Sequence, residues 1–345
     1  MKFSKVKIAA LAGVWPPLGL SSDAIEERLA ALYDRLKLPR GRLELMTGIR
    51  ERRFWPGSVK PSQIAAEAGA AVLKKHPVDL ADIDLLIHCG VCRDRLEPAT
   101  AAYVHQWLKL PGRTQILDIS NACLGFLSAL VLVAGMIEGG QIRRALLVSG
   151  EDGKPLLEHT IRQLLMPYHD RQSIKPLFAN LTIGAGAVAA IIEHTDLSPN
   201  VRGLQLVTAT NETDSSHNSL CQGGTTGADG LEMLTDSEAL LEAGLNVAER
   251  CWIRFQEECA WTAQSLDRVI CHQVGRAHQK RLLERLGIAP DKDYITYDQL
   301  GNTGSVALPI TLAAAMDAGA VKAGDRVALL GIGSGLSSLM IALNA

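Results

Sequence analysis

Three residues have types suited to chemistry, and each of them follows an apolar run that is typical of a β-strand. Cys123 comes after the run from Gln115 to Ile119, and His272 and Asn302 come much later in the chain. A thiol at the start of a helix meets a partial positive charge, which favours the nucleophilic thiolate. Cys, His and Asn together supply a nucleophile and two groups that can handle a proton or an oxyanion. The sequence therefore predicts nucleophilic catalysis through Cys123.

Length and composition limit the kinds of protein that this chain can be. It has 345 residues, of which 47% are hydrophobic, and this length suggests roughly two domains. The formal net charge is −2, and no basic stripe interleaved with aromatic residues occurs, so composition gives no support for nucleic-acid binding. The seven cysteines are odd in number and scattered, which predicts reduced thiols in the cytoplasm rather than a disulfide framework.

Two apolar segments have features of targeting or membrane signals. The N-terminal run ends at Trp15 and two prolines without a convincing cleavage site, which predicts a first β-strand rather than a secretory signal. The longest apolar run, Leu124 to Ile137, is shorter than the roughly 18–20 residues that a membrane span needs. It is predicted to be a helix that is buried on all sides, and no membrane span is expected.

Strand-like and helix-like segments alternate along the chain, which predicts an α/β protein with a largely buried sheet. Strands are predicted at residues 7–14, 84–89, 115–119 and 145–149, and helices at residues 24–36, 61–75, 98–110 and 124–137. Residues 210–230 are polar and rich in glycine, which predicts a surface loop.

The chain also resembles itself. The run Asp84-Leu-Leu-Ile-His-Cys-Gly is echoed by Asp267-Arg-Val-Ile-Cys-His-Gln, and Leu181-Thr-Ile-Gly-Ala-Gly is echoed by Leu330-Gly-Ile-Gly-Ser-Gly. Two halves of similar plan, residues 1–195 with the cysteine and residues 196–345 with the histidine and asparagine, account for both echoes. Duplicated halves would bring the helix starts at Cys123 and Asn302 face to face.

Five motifs in order along the whole chain resemble those of thiolase-superfamily condensing enzymes, in particular the 3-oxoacyl-(acyl carrier protein) synthase III branch. These are Thr47-Gly-Ile-Arg-Glu-Arg-Arg, Asn121-Ala-Cys-Leu-Gly-Phe, His272-Gln, Gly301-Asn-Thr-Gly with Pro309, and Gly331-Ile-Gly-Ser-Gly. The resemblance implies a thiolase-like five-layer α-β-α-β-α sandwich of two duplicated halves. It also implies an acyltransferase that acts on CoA thioesters, a homodimer, and no metal or redox cofactor.

The resemblance assigns a role to each site residue. Cys123 would accept the acyl group, and His272 and Asn302 would donate hydrogen bonds to the thioester carbonyl of the second substrate as its enolate forms. The backbone N–H groups of Cys123 and Ser334 would form the oxyanion hole of the acyl-enzyme step. Taken singly, the histidine and the asparagine would be read as a core residue and a turn residue.

Within this superfamily the chain is similar to OleA-type enzymes, which join two fatty acyl-CoA molecules head to head. It has His272-Gln-Val-Gly where synthase III proteins usually have His-Gln-Ala-Asn, and Arg42 and Met46 at the positions that usually clasp the CoA adenine. The segment that begins at Arg93 resembles the OleA segment whose acidic residue enters the partner's site, which makes Glu97 the catalytic base. A carboxylate that stabilises the start of a helix is the other interpretation of Glu97.

Several other interpretations stay open at this stage. A decarboxylative synthase that uses acyl-CoA and malonyl-carrier protein would not need Glu97, and acyl carrier protein would then be a partner. A thiol-dependent thioester hydrolase fits the order of Cys, His and Asn, and a non-enzymatic subunit is weakened by the presence of all three. Cys89-Gly-Val-Cys92 lacks the second cysteine pair of a zinc site, and the glycine-rich run at Gly331 lacks the helix of a dinucleotide fingerprint.

Overall fold

The computed structural model of the chain describes residues 1–225 and 231–345. The strands and helices up to residue 195 are, in order, β1 (Val6–Val14), β2 (Leu18–Ser21), α1 (Ser22–Arg28), α2 (Ala30–Leu36), α3 (Arg42–Thr47), β3 (Glu51–Phe54), α4 (Pro61–Lys75), β4 (Leu85–Cys89), α5 (Thr100–Leu108), β5 (Gln115–Ile119), α6 (Gly125–Glu138), β6 (Arg144–Asp152), α7 (Lys154–Leu164), α8 (Lys175–Phe178) and β7 (Ala185–His194). Those that follow are β8 (Leu204–Thr213), β9 (Cys221–Thr225), β10 (Leu231–Thr235), α9 (Ser237–Cys259), β11 (Arg268–Cys271), α10 (Arg276–Leu286), α11 (Tyr297–Leu300), α12 (Ala307–Asp317), β12 (Arg326–Gly333) and β13 (Ser337–Asn344).

The main sheet repeats one strand order on its two sides. Its strands stand in the order β11-β12-β13-β8-β1-β7-β6-β4-β5. On one side β4 pairs in parallel with β5 and β6, and β6, β7 and β1 follow as antiparallel neighbours. On the other side β11 pairs in parallel with β12, and β12, β13 and β8 follow as antiparallel neighbours. This repetition supports the division at residue 195, which stays a prediction.

Side chains alternate between the two faces of each strand, and this alternation builds the layers. Leu85 and Ile87 of β4 pack against α6 and α12, which lie between the two sides of the sheet in the largest hydrophobic cluster. Leu86, between them in sequence, faces outward and packs with α4 and α5. On the other side, Val269 of β11 packs outward against α9 and α10. The order of layers is therefore helix, sheet, helix, sheet, helix.

Most predicted elements are confirmed to within a few residues, including the buried helix α6. Over the described ranges, no helix has both the length and the apolar character that a membrane crossing requires. The single helix predicted for residues 24–36 is wrong, because Leu29 leaves the helical conformation (φ −95°, ψ 15°) and separates α1 from α2.

The loop predicted for residues 210–230 is also wrong in part. The alternation of apolar and polar residues in β8 continues to Thr213, because threonine fits a pleated and half-buried surface. A further strand, β9, begins at Cys221. Residues 226–230 of the predicted loop lie outside the described residues.

Candidate active site

Cys123 lies on a sharp turn that connects β5 to α6. The residue before it, Ala122, has a φ of +45°, which residues with a Cβ atom rarely adopt. The residue after it, Leu124, is 2% exposed and caps the helix, and its N–H donates to the carbonyl of Asn121 at 2.8 Å. The turn therefore fixes the backbone of Cys123 from both sides and leaves its side chain half-buried.

The surroundings of Cys123 favour the thiol over the thiolate. Burial raises the pKa of Cys123 to about 12, and negative charge on Cys221 and Glu151 adds to this effect. A hydrogen bond from the backbone of Cys123 itself acts in the opposite direction. Burial therefore acts against the preference for the thiolate that the start of the helix predicts, because desolvation disfavours a charged sulfur.

His272 follows the last residue of β11, and its N–H donates to the carbonyl of Leu330 on β12 at 3.0 Å. Its side chain is partly exposed, whereas its neighbour Gln273 is buried. Burial lowers the pKa of His272 to about 4, and positive charge on His278 adds to the effect. The ring is therefore neutral near pH 7, with one nitrogen that can donate a hydrogen bond and one that can accept.

Asn302 lies in a tight turn of residues 301–306, here called the asparagine turn. Its N–H donates to Thr182 and its carbonyl accepts from Gly184, both at 2.9 Å. The side-chain oxygen Oδ1 accepts from the N–H of Gly304 at 3.0 Å, which fixes the direction of the amide. The amide nitrogen Nδ2 forms no hydrogen bond with any residue that the structure describes, so both of its donors are free.

The segment that leads into the asparagine turn packs so closely against Gly184 that no side chain would fit there. A Cβ atom added to Gly184 would lie 1.9 Å from the carbonyl oxygen of Leu300. This close approach allows Asn302 to form its two backbone hydrogen bonds, one with Thr182 and one with Gly184. Gly184, in the predicted internal echo at residues 181–186, is therefore required because it packs against the segment that precedes Asn302.

Ser334 follows β12, whose end lies against the turn of Cys123. A Cβ atom added to Gly333 would lie 3.0 Å from Cγ and 3.5 Å from the backbone nitrogen of Leu124. On the opposite side, a Cβ atom added to Gly125 would lie 3.5 Å from the Cβ of Ser305 in the asparagine turn. These contacts place the turn of Cys123, the end of β12 before Ser334 and the asparagine turn beside one another, and His272 lies next to Leu330 on β12. The region that these segments border is here called the cleft. Cys123, His272, Asn302 and Ser334 each have a partly exposed side chain, and they are four of the five residues that the sequence singles out.

Glu97 has a different environment. It lies in the segment of residues 90–99 between β4 and α5, here called the outer loop, and its side chain is exposed. Neither a hydrogen bond nor an ion pair joins Glu97 to any residue of the described ranges. The neighbouring Leu96 is 92% exposed. The fold of one chain therefore leaves Glu97 on the surface rather than in the cleft.

The outer loop is nevertheless held firmly. The carboxylate of Asp94 accepts hydrogen bonds from the N–H and the hydroxyl of Ser62 at 2.8 and 2.7 Å. At the end of the loop, Asp118 accepts from the N–H groups of Thr100 and Ala101 at the start of α5, at 2.6 and 2.8 Å. The outer loop is therefore anchored at Asp94 and at the start of α5, and Glu97 lies between these two points with its side chain exposed to solvent.

Sequence reasoning missed two groups that affect the cleft. Glu151 is buried at the end of β6, two residues beyond the predicted end of that strand. An acidic pair after an apolar strand, at the edge where Cys123 also lies, is a signal that could have indicated it. Negative charge on Cys221 raises the pKa of Cys123, although the two residues are far apart in sequence, and no local pattern marks Cys221.

Comparison with known proteins bears on this geometry. The 3-oxoacyl-(acyl-carrier-protein) synthase III family matches residues 117–214, and its C-terminal family matches residues 256–344. An acyl-CoA:acyl-CoA alkyltransferase of Shewanella oneidensis is 40% identical over 99% of both chains. The alkyltransferase of Xanthomonas campestris is 34% identical over 99% of this chain and 98% of its own, and a beta-ketoacyl-(acyl-carrier-protein) synthase III of Deinococcus deserti is 28% identical over 86% and 80%.

Solved structures give the same result for the fold. A variant of OleA of Xanthomonas campestris with one substituted residue superimposes with a TM-score of 0.95 at 33% identity, over 100% of this chain and 98% of its own. A variant of OleA with bound lauric acid and lauroyl-CoA superimposes with a TM-score of 0.94, over 99% of this chain and 100% of its own. The predicted thiolase-like five-layer α/β fold is confirmed.

Proposed function

The chain belongs to the 3-oxoacyl-(acyl-carrier-protein) synthase III family of acyltransferases, and from this premise we propose that it joins two fatty acyl-CoA molecules by head-to-head Claisen condensation. The full-length similarity to two acyl-CoA:acyl-CoA alkyltransferases supports this choice among the reactions of the family. The product would be a 2-alkyl-3-oxoacyl thioester. The reaction consumes two thioesters and needs no cofactor.

In the first step, Cys123 accepts an acyl group from one acyl-CoA. The sulfur forms a new thioester bond as the bond between the acyl carbon and coenzyme A breaks, and the thiol proton ends on coenzyme A. One thioester replaces another, so the exchange is close to thermoneutral. The backbone N–H groups of Cys123 and Ser334 would stabilise the negative charge on the acyl oxygen.

In the second step, the other acyl-CoA becomes a carbon nucleophile. Glu97 of the partner subunit removes the proton next to the thioester carbonyl, and the enolate attacks the acyl group on Cys123. A carbon–carbon bond forms, the carbon–sulfur bond breaks, and the thiol of Cys123 is restored by protonation. The neutral ring of His272 and the Nδ2 of Asn302, which has no partner among the described residues, are suited to donate hydrogen bonds to the enolate oxygen.

A homodimer is part of the proposal, because Glu97 is exposed in its own chain. Strand β5 stands at the edge of the sheet, and it leads directly into the turn of Cys123. Pairing of β5 with its copy across a two-fold axis would bring the outer loop of one subunit toward the cleft of the other. We place the protein in the cytoplasm, where its seven free cysteines would stay reduced.

One observation carries the proposal. The segments that carry a thiol, a neutral imidazole and an amide donor border one region, in a chain that matches an acyl-CoA:acyl-CoA alkyltransferase over 99% of its length. A hydrolase would need access of water to the acyl group, and the alkyltransferase relatives favour a second acyl-CoA as the acceptor.

The test is incubation of the purified protein with one long-chain acyl-CoA as sole substrate, followed by mass spectrometry of the products. We expect a product that carries both alkyl chains: the 3-oxoacyl thioester, the 3-oxo acid that forms when water hydrolyses this thioester and coenzyme A leaves, or the ketone that the acid gives by loss of carbon dioxide. Acylated Cys123 without this product, and condensation only after addition of malonyl-carrier protein, would establish the decarboxylative synthase instead. Release of free fatty acid alone would establish a hydrolase.

A further inference from the structure

Glu151 is a buried carboxylate with an unusual set of partners. It is 4% exposed, and no ion pair joins it to a basic group in the described part of the chain. Burial of an unpaired charge is costly unless hydrogen bonds compensate for it. An apolar residue at this strand end would avoid that cost, so the partners of Glu151 indicate what it does.

Four donors from two segments converge on this carboxylate. Oε1 accepts from the N–H of Val91 at 2.9 Å and Oε2 accepts from the N–H of Cys92 at 2.9 Å, both at the start of the outer loop. Oε1 also accepts from the hydroxyl of Ser305 at 2.7 Å and from its N–H at 3.3 Å, in the asparagine turn. The two segments are more than 200 residues apart in sequence, and Glu151 bonds to both of them.

Glycines on both sides allow this close approach. A Cβ atom added to Gly90 or to Gly304 would lie 3.3 Å from Oε1 of Glu151. Ser305 is further held by Ser149, whose hydroxyl is 2.9 Å from its own. The carboxylate therefore fits closely between the outer loop and the asparagine turn.

We propose that Glu151 is a positioning residue that links the asparagine turn to the outer loop, so that one buried carboxylate aligns parts of both active sites of the dimer. This inference rests on the proposed function. Within one subunit, the asparagine turn belongs to the subunit's own cleft, whereas the outer loop carries Glu97 into the cleft of the partner. Loss of the carboxylate would loosen a donor in one site and the base in the other.

The test compares Glu151→Gln with Glu193→Gln in the full-length protein. Glutamine keeps the shape of Glu151, but its NH₂ group faces an N–H donor. Glu193 is a matched control, because it is equally buried and pairs with Arg144 at the opposite end of the same two strands. For Glu151→Gln we expect kcat for condensation to fall about tenfold or more, with KM for acyl-CoA and acylation of Cys123 nearly unchanged. Glu193→Gln should leave the ratio of condensation to acylation unchanged.

Amide hydrogen exchange gives a second readout that does not depend on activity. In Glu151→Gln, exchange should increase in residues 90–99 and 301–306 together, whereas Ser305→Ala should affect the asparagine turn more than the outer loop. If Glu151→Gln behaves like Glu193→Gln in both measurements, the proposal is wrong. Failure of the wild-type protein to condense acyl-CoA would contradict the proposed function, and exchange in the two segments would still decide the role of Glu151.

Discussion

The cleft and the outer loop supply groups for the same proposed reaction, yet they are built in opposite ways. In the cleft, Cys123, His272 and Asn302 each follow or precede a strand or helix end, and backbone hydrogen bonds fix their positions. In the outer loop, Glu97 is exposed and without a partner in the described ranges, although the loop is anchored at Asp94 and at the start of α5.

This contrast separates the groups that would stabilise the enolate from the group that would remove the proton. Hydrogen-bond donors to an enolate are effective when their directions are fixed in advance, and one folded chain can fix them. A carboxylate base must be desolvated to raise its pKa, and the surface of one chain cannot provide that environment. Covering Glu97 with a second copy of the chain would provide it, so dimerisation and catalysis would be coupled.

Removal of the nucleophile should have the largest effect. In Cys123→Ala the cleft keeps its donors but no acyl-enzyme can form, so condensation should fall by about 10³-fold or more. Mass spectrometry of the intact protein after incubation with acyl-CoA should show no added acyl mass. Persistent acylation of the variant at another cysteine, with unchanged condensation, would contradict the assignment of Cys123.

Glu97→Gln should separate the two steps. Loss of a general base costs about 10²- to 10⁴-fold, so condensation should fall within this range, whereas Cys123 should still become acylated. Release of coenzyme A in a single burst, without a condensed product, is the measurement that checks it. A variant that condenses two acyl-CoA molecules at the wild-type rate would exclude Glu97 as the base.

Mixed dimers test whether Glu97 acts across the interface. Neither Glu97→Gln nor Cys123→Ala should condense acyl-CoA alone. After unfolding and refolding as an equal mixture, half of the dimers are mixed, and each mixed dimer would have one complete site if Glu97 acts in the partner's cleft. About a quarter of the wild-type activity should return. If Glu97 acts within its own chain, no activity should return.

Asn302→Ala should have a smaller effect, because one hydrogen-bond donor to the enolate is lost and the others remain. We expect condensation to fall about 10²-fold, with acylation of Cys123 less affected. Rapid-quench kinetics that follow the acyl-enzyme and the product separately provide the check. Equal losses in both steps would indicate that Asn302 supports the fold of the turn rather than the enolate.

Sequence patterns are sufficient to predict several helices and strands, because local signals mark where each of them begins and ends. Strand β5 and helix α4 were predicted with their observed ends, since apolar runs, prolines and polar boundaries mark them. The strand β6 was predicted too short, because its last residues include Glu151 and Asp152, which single-sequence patterns assign to a turn. What makes them strand residues is pairing with β7, which is a long-range contact.

The electrostatics of the cleft were beyond local patterns for the same reason. The helix start at Cys123 is a local feature and favours the thiolate, but the burial of Cys123 and the charge on Cys221, which both raise its pKa, result from tertiary packing. The neutral state of His272 likewise depends on burial and on His278, which follows on α10. Positions of residues follow from local signals, whereas their pKa values follow from tertiary packing.

Cys221→Ser should produce the smallest effect, and it tests what controls the nucleophile. Negative charge on Cys221 raises the pKa of Cys123 beyond the effect of burial, so its removal should lower that pKa while leaving it well above the ordinary value. In wild-type protein the rate of alkylation of Cys123 by iodoacetamide should keep rising with pH well beyond pH 9, because only the thiolate reacts.

In the variant this rise should be displaced to lower pH, with a difference of a few-fold in rate above pH 9. The peptide that contains Cys123 is followed by mass spectrometry, and Cys259→Ser is the matched control, since that cysteine is not among the groups that shift Cys123. Identical profiles for both variants would mean that burial alone sets the reactivity of Cys123. The cleft would then act on its nucleophile through packing, and binding of the acyl-CoA would have to supply the activation.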